Sequence, residues 1–217
     1  MPKTVDWDER RAELLEAVWR VIARDGIERT TIRTIAKETG WSSGVLAHYF
    51  ADKDDILISA LRLVHERISA RWEEKLEGLR GLAALRVLVL DNLPLDDERE
   101  RETRLLINYW SRRLVATDEP LGQWRRGPLL VDRLADLVRD ARELDELYGE
   151  GPDEDVAERL LALIDGLSLH AVLPGTLVDR ERQIALVDQA LAELTPNERA
   201  TPDGSAPHPT HTGDTHA

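Results

Sequence analysis

The sequence predicts an all-α fold. Three observations carry that prediction. Apolar residues recur at helical spacing nearly everywhere, no stretch alternates apolar and polar residues over a useful strand length, and glycine or proline falls between helix-length segments. The chain has 217 residues, 42% hydrophobic and 33% charged. That length suits one or two domains with a sizeable core, and that composition suits a soluble globular class.

Each element has its own signal. Ala12, Leu15, Trp19 and Ile22 form one stripe, so a first helix starts near Asp6 or Asp8 and stops at Gly26, which can turn left-handed. A second helix fits Thr31 to Thr39 and is stopped by Gly40; a third fits Ser43 to Tyr49 with Ser42 as N-cap. Asp52 caps a long fourth helix whose stripe is Ile56, Leu57, Ala60, Leu61, Val64, Ile68, Trp72 and Leu76, broken by Gly78 and Gly81. Further helices are expected near 82–92, 97–117, 120–147 (with a kink at Gly127-Pro128), 153–173 and 180–194. Pro152 and the acids Asp153, Glu154 and Asp155 suit a first turn, where proline needs no amide partner and carboxylates meet the positive dipole end. Residues 196–217 hold four prolines among small polar residues and read as a disordered tail.

Composition excludes several functions. There are 29 basic and 42 acidic residues, a formal net charge of −13, so a general positive coat for nucleic acid is excluded and one small DNA-reading face is not. The absence of cysteine removes disulfides, cysteine-ligated zinc, iron–sulfur clusters and thiol nucleophiles. The polar start does not resemble a signal peptide, and no apolar run is long enough to span a bilayer, so a cytoplasmic address is expected. No GxSxG, P-loop, dinucleotide fingerprint, HExxH or paired ExxH is present. No enzyme activity, catalytic residue, metal site or cofactor is expected. The acidic runs at 96–102 and 143–155 read as solvated faces or loops, and His208, His211 and His216 as part of the solvated tail.

The informative segment is TIRTIAKETGWSSGVLAHYF, residues 31–50. Two helices crossing steeply need a small residue at the approach, which Ala36 supplies, and a positive φ in the turn, which Gly40 supplies. Ile35, Trp41, Leu46 and Tyr49 then fill the joint core. This is the pattern of a helix-turn-helix whose second helix enters the major groove. A plain helical hairpin shares its bare Ala-x-x-x-Gly signal. The exposed positions suit DNA. Ser42, Ser43 and Gly44 open a helix whose amides and hydroxyls can bind phosphate, and Gly44 allows close backbone approach. Arg33 can reach a phosphate or a guanine edge, His48 and Tyr49 can donate to phosphates or stack on sugars, and Lys53 can grip the backbone. Residues 20–53 carry six basic against four acidic side chains, a small local surplus.

The wider string resembles the N-terminal domain of TetR-family transcriptional regulators. The residues that carry the resemblance run from Gly26 to Ala36 (GIERTTIRTIA), from Gly40 to Leu46 (GWSSGVL), then His48-Tyr49-Phe50 and Asp52-Lys53-Asp54-Asp55-Ile56-Leu57. The match covers roughly residues 8–68, without gaps, and includes the chain's one phenylalanine. Trp41 departs from the family's usual small aliphatic residue, and Ala47 stands where many members have tyrosine. A second stretch, Ala162 to Ala171 (ALIDGLSLHA), resembles the penultimate helix of the choline-responsive Bet-type repressors.

The resemblance implies a homodimer with a helix-turn-helix domain at 8–52, a fourth helix from 53 leading into a ligand-binding and dimerisation body at 53–195, and pairing through helices 153–173 and 180–194. It implies a regulator, most simply a repressor, that binds double-stranded operator DNA and a small-molecule effector. Expected DNA contacts are Thr31, Arg33, Ser42, Ser43, Gly44, Val45, His48, Tyr49 and Lys53. Trp72, Asn108, Trp110, Trp124 and His170, polar or aromatic on apolar helices, are candidates to meet the effector; Tyr109 and His65 are others. Asp165-Gly166 inside an apolar helix is expected to mark a close helix approach. An activator of the same fold, an all-α enzyme and an interaction bundle without DNA affinity are the alternatives.

Overall fold

The computed structural model describes residues 7–115, 126–149, 151–175 and 178–195. Trp124, residues 120–125 of the expected seventh helix and the 196–217 tail with its histidines lie outside the described residues. Every regular element described is helical: α1 (Trp7–Asp25), a 3₁₀ turn (Ile27–Arg29), α2 (Ile32–Thr39), α3 (Ser43–Leu46), α4 (Lys53–Leu76), α5 (Gly81–Asp91), α6 (Asp97–Val115), α7 (Arg126–Glu143), α8 (Asp153–Val172) and α9 (Arg180–Ala192). The all-α expectation holds.

The N-terminal helices form around α1. It packs on α2 and α4, while α2 packs on α3. α4 continues onto α5 and α6; α7 lies against α5 and α8, and α9 closes on α5 and α8. One hydrophobic core runs through all of them, from Leu14 to Leu191. All eight residues of the α4 stripe are buried. A fully buried leucine or isoleucine contributes about 1.5–3 kcal/mol, so this stripe joins the two parts of the molecule firmly.

Local chemistry explains the boundaries. Gly26 ends α1 with φ 77° and ψ 158°, a positive-φ conformation but not the left-handed helical one expected there. Gly40 ends α2 with φ 72° and ψ 6°, which is that conformation. Thr31 is a cap rather than a helical residue: Thr31 Oγ1 accepts from the Thr34 amide, and Thr34 Oγ1 accepts from the Thr31 amide. α3 stops at Leu46, three residues short of the predicted Tyr49. The His48 and Tyr49 amides bond back three residues, to Val45 and Leu46, so the chain tightens as Phe50 enters the core. Asp52 Oδ1 accepts from the Asp55 amide and caps α4. No kink is needed at Gly127-Pro128, because both residues fall in the first described turn of α7.

Three sequence expectations are corrected. The 96–102 run is not a solvated face throughout: Glu102 is buried. It takes a two-pronged bond from Arg71 (3.1 and 3.0 Å), whose Nε also reaches Asp91 Oδ2 at 2.8 Å. Lys75 Nζ meets the other oxygen of Asp91 at 2.5 Å, with Arg99 at 3.7 Å. Burial alone would lower the Arg71 pKa; the Glu102 and Asp91 carboxylates outweigh it, so the net shift is upward. The 143–155 run also carries structure. Glu146 Oε2 accepts from the Leu82 amide and Asp140 Oδ2 from the Gly81 amide, both at 2.6 Å, so acids from α7 and the chain after it cap α5. Arg80 also pairs with Asp140, and Asp153 binds Arg142 at 2.5 Å. Lastly, Gly166 marks no close approach among the described residues: a Cβ there would meet none of them within 4 Å.

Candidate nucleic-acid interface

The segment from Thr31 to Phe50 folds as two short helices about the Gly40 turn. Ile35 and Leu46 are fully buried between them, and Ala36 packs half-buried at the approach. Trp41 and Tyr49, expected in this joint core, are only half-buried; their rings face each other at 5.6 Å and 53°. The unusual tryptophan is therefore accommodated by a tyrosine on the other side of the turn.

That packing leaves one edge of α3 in solvent. Ser42, Ser43, Gly44, Val45, Ala47 and His48 are all exposed, while Leu46 and Phe50 anchor the opposite side. Val45 is 44% exposed, an apolar side chain displayed rather than hidden. Ser42 Oγ accepts from the Val45 amide at 3.2 Å, which leaves its own proton free to donate. A Cβ on Gly44 would touch only Ser42 Oγ, at 3.9 Å, so the fold itself does not require glycine there.

Electrostatics sort the nearby cations. Arg20 and Arg24 both bond Glu38 (3.3 and 2.8 Å), and Arg24 also bonds Asp25. These bonds, Arg24 first and then Arg20, hold the Glu38 carboxyl below its ordinary value. Both arginines thus clamp α1 to α2 and are largely neutralised. Arg33 is exposed on α2, and His48 on the turn after α3; neither has a side-chain partner among the described residues. Thr31 is exposed at the start of α2. Lys53 is the first residue of α4. Thr31, Arg33, Ser42, Ser43, Gly44, Val45 and His48 are all exposed on α2, α3 and the turns beside them, whereas Tyr49 is half-buried.

The described effector candidates differ in burial. Trp72 and Tyr109 are buried, Trp110, Asn108 and His65 half-buried, and His170 exposed. The Trp72 Nε1 is buried with no hydrogen-bond partner among the described residues. Asn108 Nδ2 donates to the Arg104 carbonyl at 2.8 Å and lines a cleft between the N-terminal helices and the body; Trp72, Trp110 and His170 do not line it. Sequence reasoning passed over two arginines of that cleft, Arg29 and Arg101. Arg101 sits between Glu100 and Glu102, so its charge reads as cancelled until the fold sends those acids elsewhere. No group of three or more histidine, aspartate or glutamate side chains suited to a metal occurs among the described residues. None of the described helices is long and apolar enough to cross a membrane.

Comparison with known proteins agrees with this geometry. A family profile described as bacterial regulatory proteins of the tetR family matches residues 14–60, and one described as the C-terminal part of BetI-type transcriptional repressors matches residues 82–196. The chain is 34% identical over 190 residues to the HTH-type transcriptional regulator PksA of Bacillus subtilis, covering 84% of this chain and 88% of that protein. It is 27% identical over 194 residues to the HTH-type transcriptional regulator BetI of Vibrio campbellii, covering 88% and 94%. Its shape is similar to that of a transcriptional regulator from Saccharomonospora viridis crystallised in complex with choline, with a TM-score of 0.77, 23% identity, and coverage of 88% of this chain and 100% of that one.

Proposed function

The chain belongs to the TetR family of bacterial regulatory proteins, with a BetI-type C-terminal region, and from that premise we propose that it is a one-component repressor that releases a near-palindromic operator when a small effector binds its helical body. It is a DNA-binding transcription regulator, as its relatives are, and not an enzyme.

The observation that carries the operator reading is the exposed edge of α3. Ser42, Ser43 and His48 offer donors to phosphates, Val45 offers an apolar surface for a thymine methyl group, and Gly44 removes the bulk between them. Arg33, Thr31, Tyr49 and Lys53 flank this edge and hold the duplex backbone. α8 and α9 of two subunits pair and set the α3 helices about 34–36 Å apart, in successive major grooves. Gly166 is exposed on α8 and available to such a seam. The protein works in the cytoplasm, where its operator is.

The effector acts through unequal affinity for two conformers, one of which tilts α4 and spoils the spacing. Because the Saccharomonospora viridis protein holds choline, choline is the first effector to test. Trp72 and Trp110 are the side chains suited to a quaternary ammonium group. Fluorescence anisotropy on the gene's own promoter fragment tests the proposal. Tight binding that weakens steeply with salt and is reversed by effector is expected; no preference over a scrambled duplex defeats it.

A further inference from the structure

Between the N-terminal helices and the body lies a cleft of about 540 Å³. Its walls come from the end of α1 and the 3₁₀ turn on one side, and from α6 and the end of α8 on the other. That volume falls within the usual small-molecule range of about 300–1,000 Å³. Four arginines line it against a single carboxylate, Asp25, in a chain whose net charge is −13.

The arginines are not equivalent. Arg24 is committed to Asp25 and Glu38, and Arg104 to Glu100 at 2.7 Å. Arg29 donates Nε to the backbone carbonyl of Asp25 at 2.8 Å and has no carboxylate in ion-pair range among the described residues. Arg101 has no side-chain partner among them at all. Two cations therefore line the cleft without an ion pair of their own, although the Asp25 carboxylate feels the charge of Arg29. Beside them are Leu169 and Leu173, 40% and 46% exposed. A single exposed leucine is ordinary; two in one concavity with unpaired guanidinium groups make a surface with a charged end and an apolar wall.

We propose that this cleft binds an aliphatic carboxylate, its head group on Arg101 and Arg29 and its chain along Leu169 and Leu173. The site goes beyond the interior effector site proposed above and differs from it in charge. A ligand there spans the joint between the helix-turn-helix and the body. It is placed to fix the angle between them.

Isothermal titration calorimetry on the full chain tests this with octanoate, and with octanol and acetate as partial ligands. Octanoate should bind at least tenfold more tightly than either control. Arg101→Gln and Leu173→Ala should each weaken octanoate about tenfold or more, with circular dichroism and melting unchanged, since both side chains are exposed. Equal binding of octanol and octanoate overturns the proposal, as does octanoate binding that Arg101→Gln leaves unchanged. If octanoate gives no heat and Leu173→Asp alters the oligomeric state instead, the leucines belong to a second copy of the chain and the proposal fails. Because no DNA is present in the titration, failure of the operator reading would show separately in the anisotropy experiment.

Discussion

Gly44 is a residue that the fold does not require to be glycine, so it tests the operator contact proposed for α3. A methyl group there meets only Ser42 Oγ at 3.9 Å, and alanine favours a helix by up to about 1 kcal/mol over glycine. Gly44→Ala should therefore melt at or above the parent temperature yet bind operator about tenfold or more weakly; unchanged anisotropy would show that no backbone approaches DNA at this point. If Arg33 holds a phosphate as proposed, Arg33→Ala should lower affinity across all sequences and flatten the salt dependence. The turn itself was legible in the sequence, because a helix-turn-helix fixes its glycine, its small residue and its cap by spacing, and Gly40, Ala36 and Ser42 take those places. Glu102 was not legible. A glutamate in an acidic run looks solvated, and only the crossing of α4 and α6 sends this one inward to Arg71.

At the scale of elements, the α4 stripe was fully foreseen, because a period repeated over several turns leaves one face to bury. The start of α5 was not, since the groups that cap it come from sixty residues later. Gly81 has φ 56°, and a Cβ on it would collide with Glu146 Oε2 and lie 2.8 Å from Leu144 Cδ1. Gly81→Ala should destabilise by roughly 1–3 kcal/mol, read from denaturant unfolding, as Glu146 is displaced from the Leu82 amide. Asp140 is held below its ordinary value by the Arg80 guanidinium and then by the Gly81 amide. A carboxyl lowered on folding stabilises fully above its unfolded value, about 3.9, and loses that contribution as pH falls through the folded value. Unfolding at pH 7 and pH 3 should thus differ more for the parent than for Asp140→Asn. Asp91→Asn leaves Arg71 paired with Glu102 alone and Lys75 without its carboxylate, and should cost about 1–3 kcal/mol.

For the whole molecule, the test lies in α8. Gly166 is exposed and a Cβ on it would meet none of the described residues within 4 Å, so glycine is a cost to the isolated helix of about 1 kcal/mol. Gly166→Ala should stabilise the subunit while raising the dimer dissociation constant in sedimentation experiments, if partner helices meet there as proposed. A variant that is more stable and equally dimeric would move the seam away from this position. The choice of all-α architecture was readable because α-helical periodicity is local; the mutual placement of the helices depends on packing between distant segments, such as α5 on α9, which no local pattern encodes.

The cluster of Arg71, Lys75, Asp91, Arg99 and Glu102 has a mechanical meaning. It rivets the lower third of α4 to its neighbours by charge as well as by oil, while the upper part of that helix carries the reading head. Any swing of the head then pivots about a fixed axle near Arg71, like a crane's boom. Amide exchange along α4 should accordingly quicken from the axle toward Lys53.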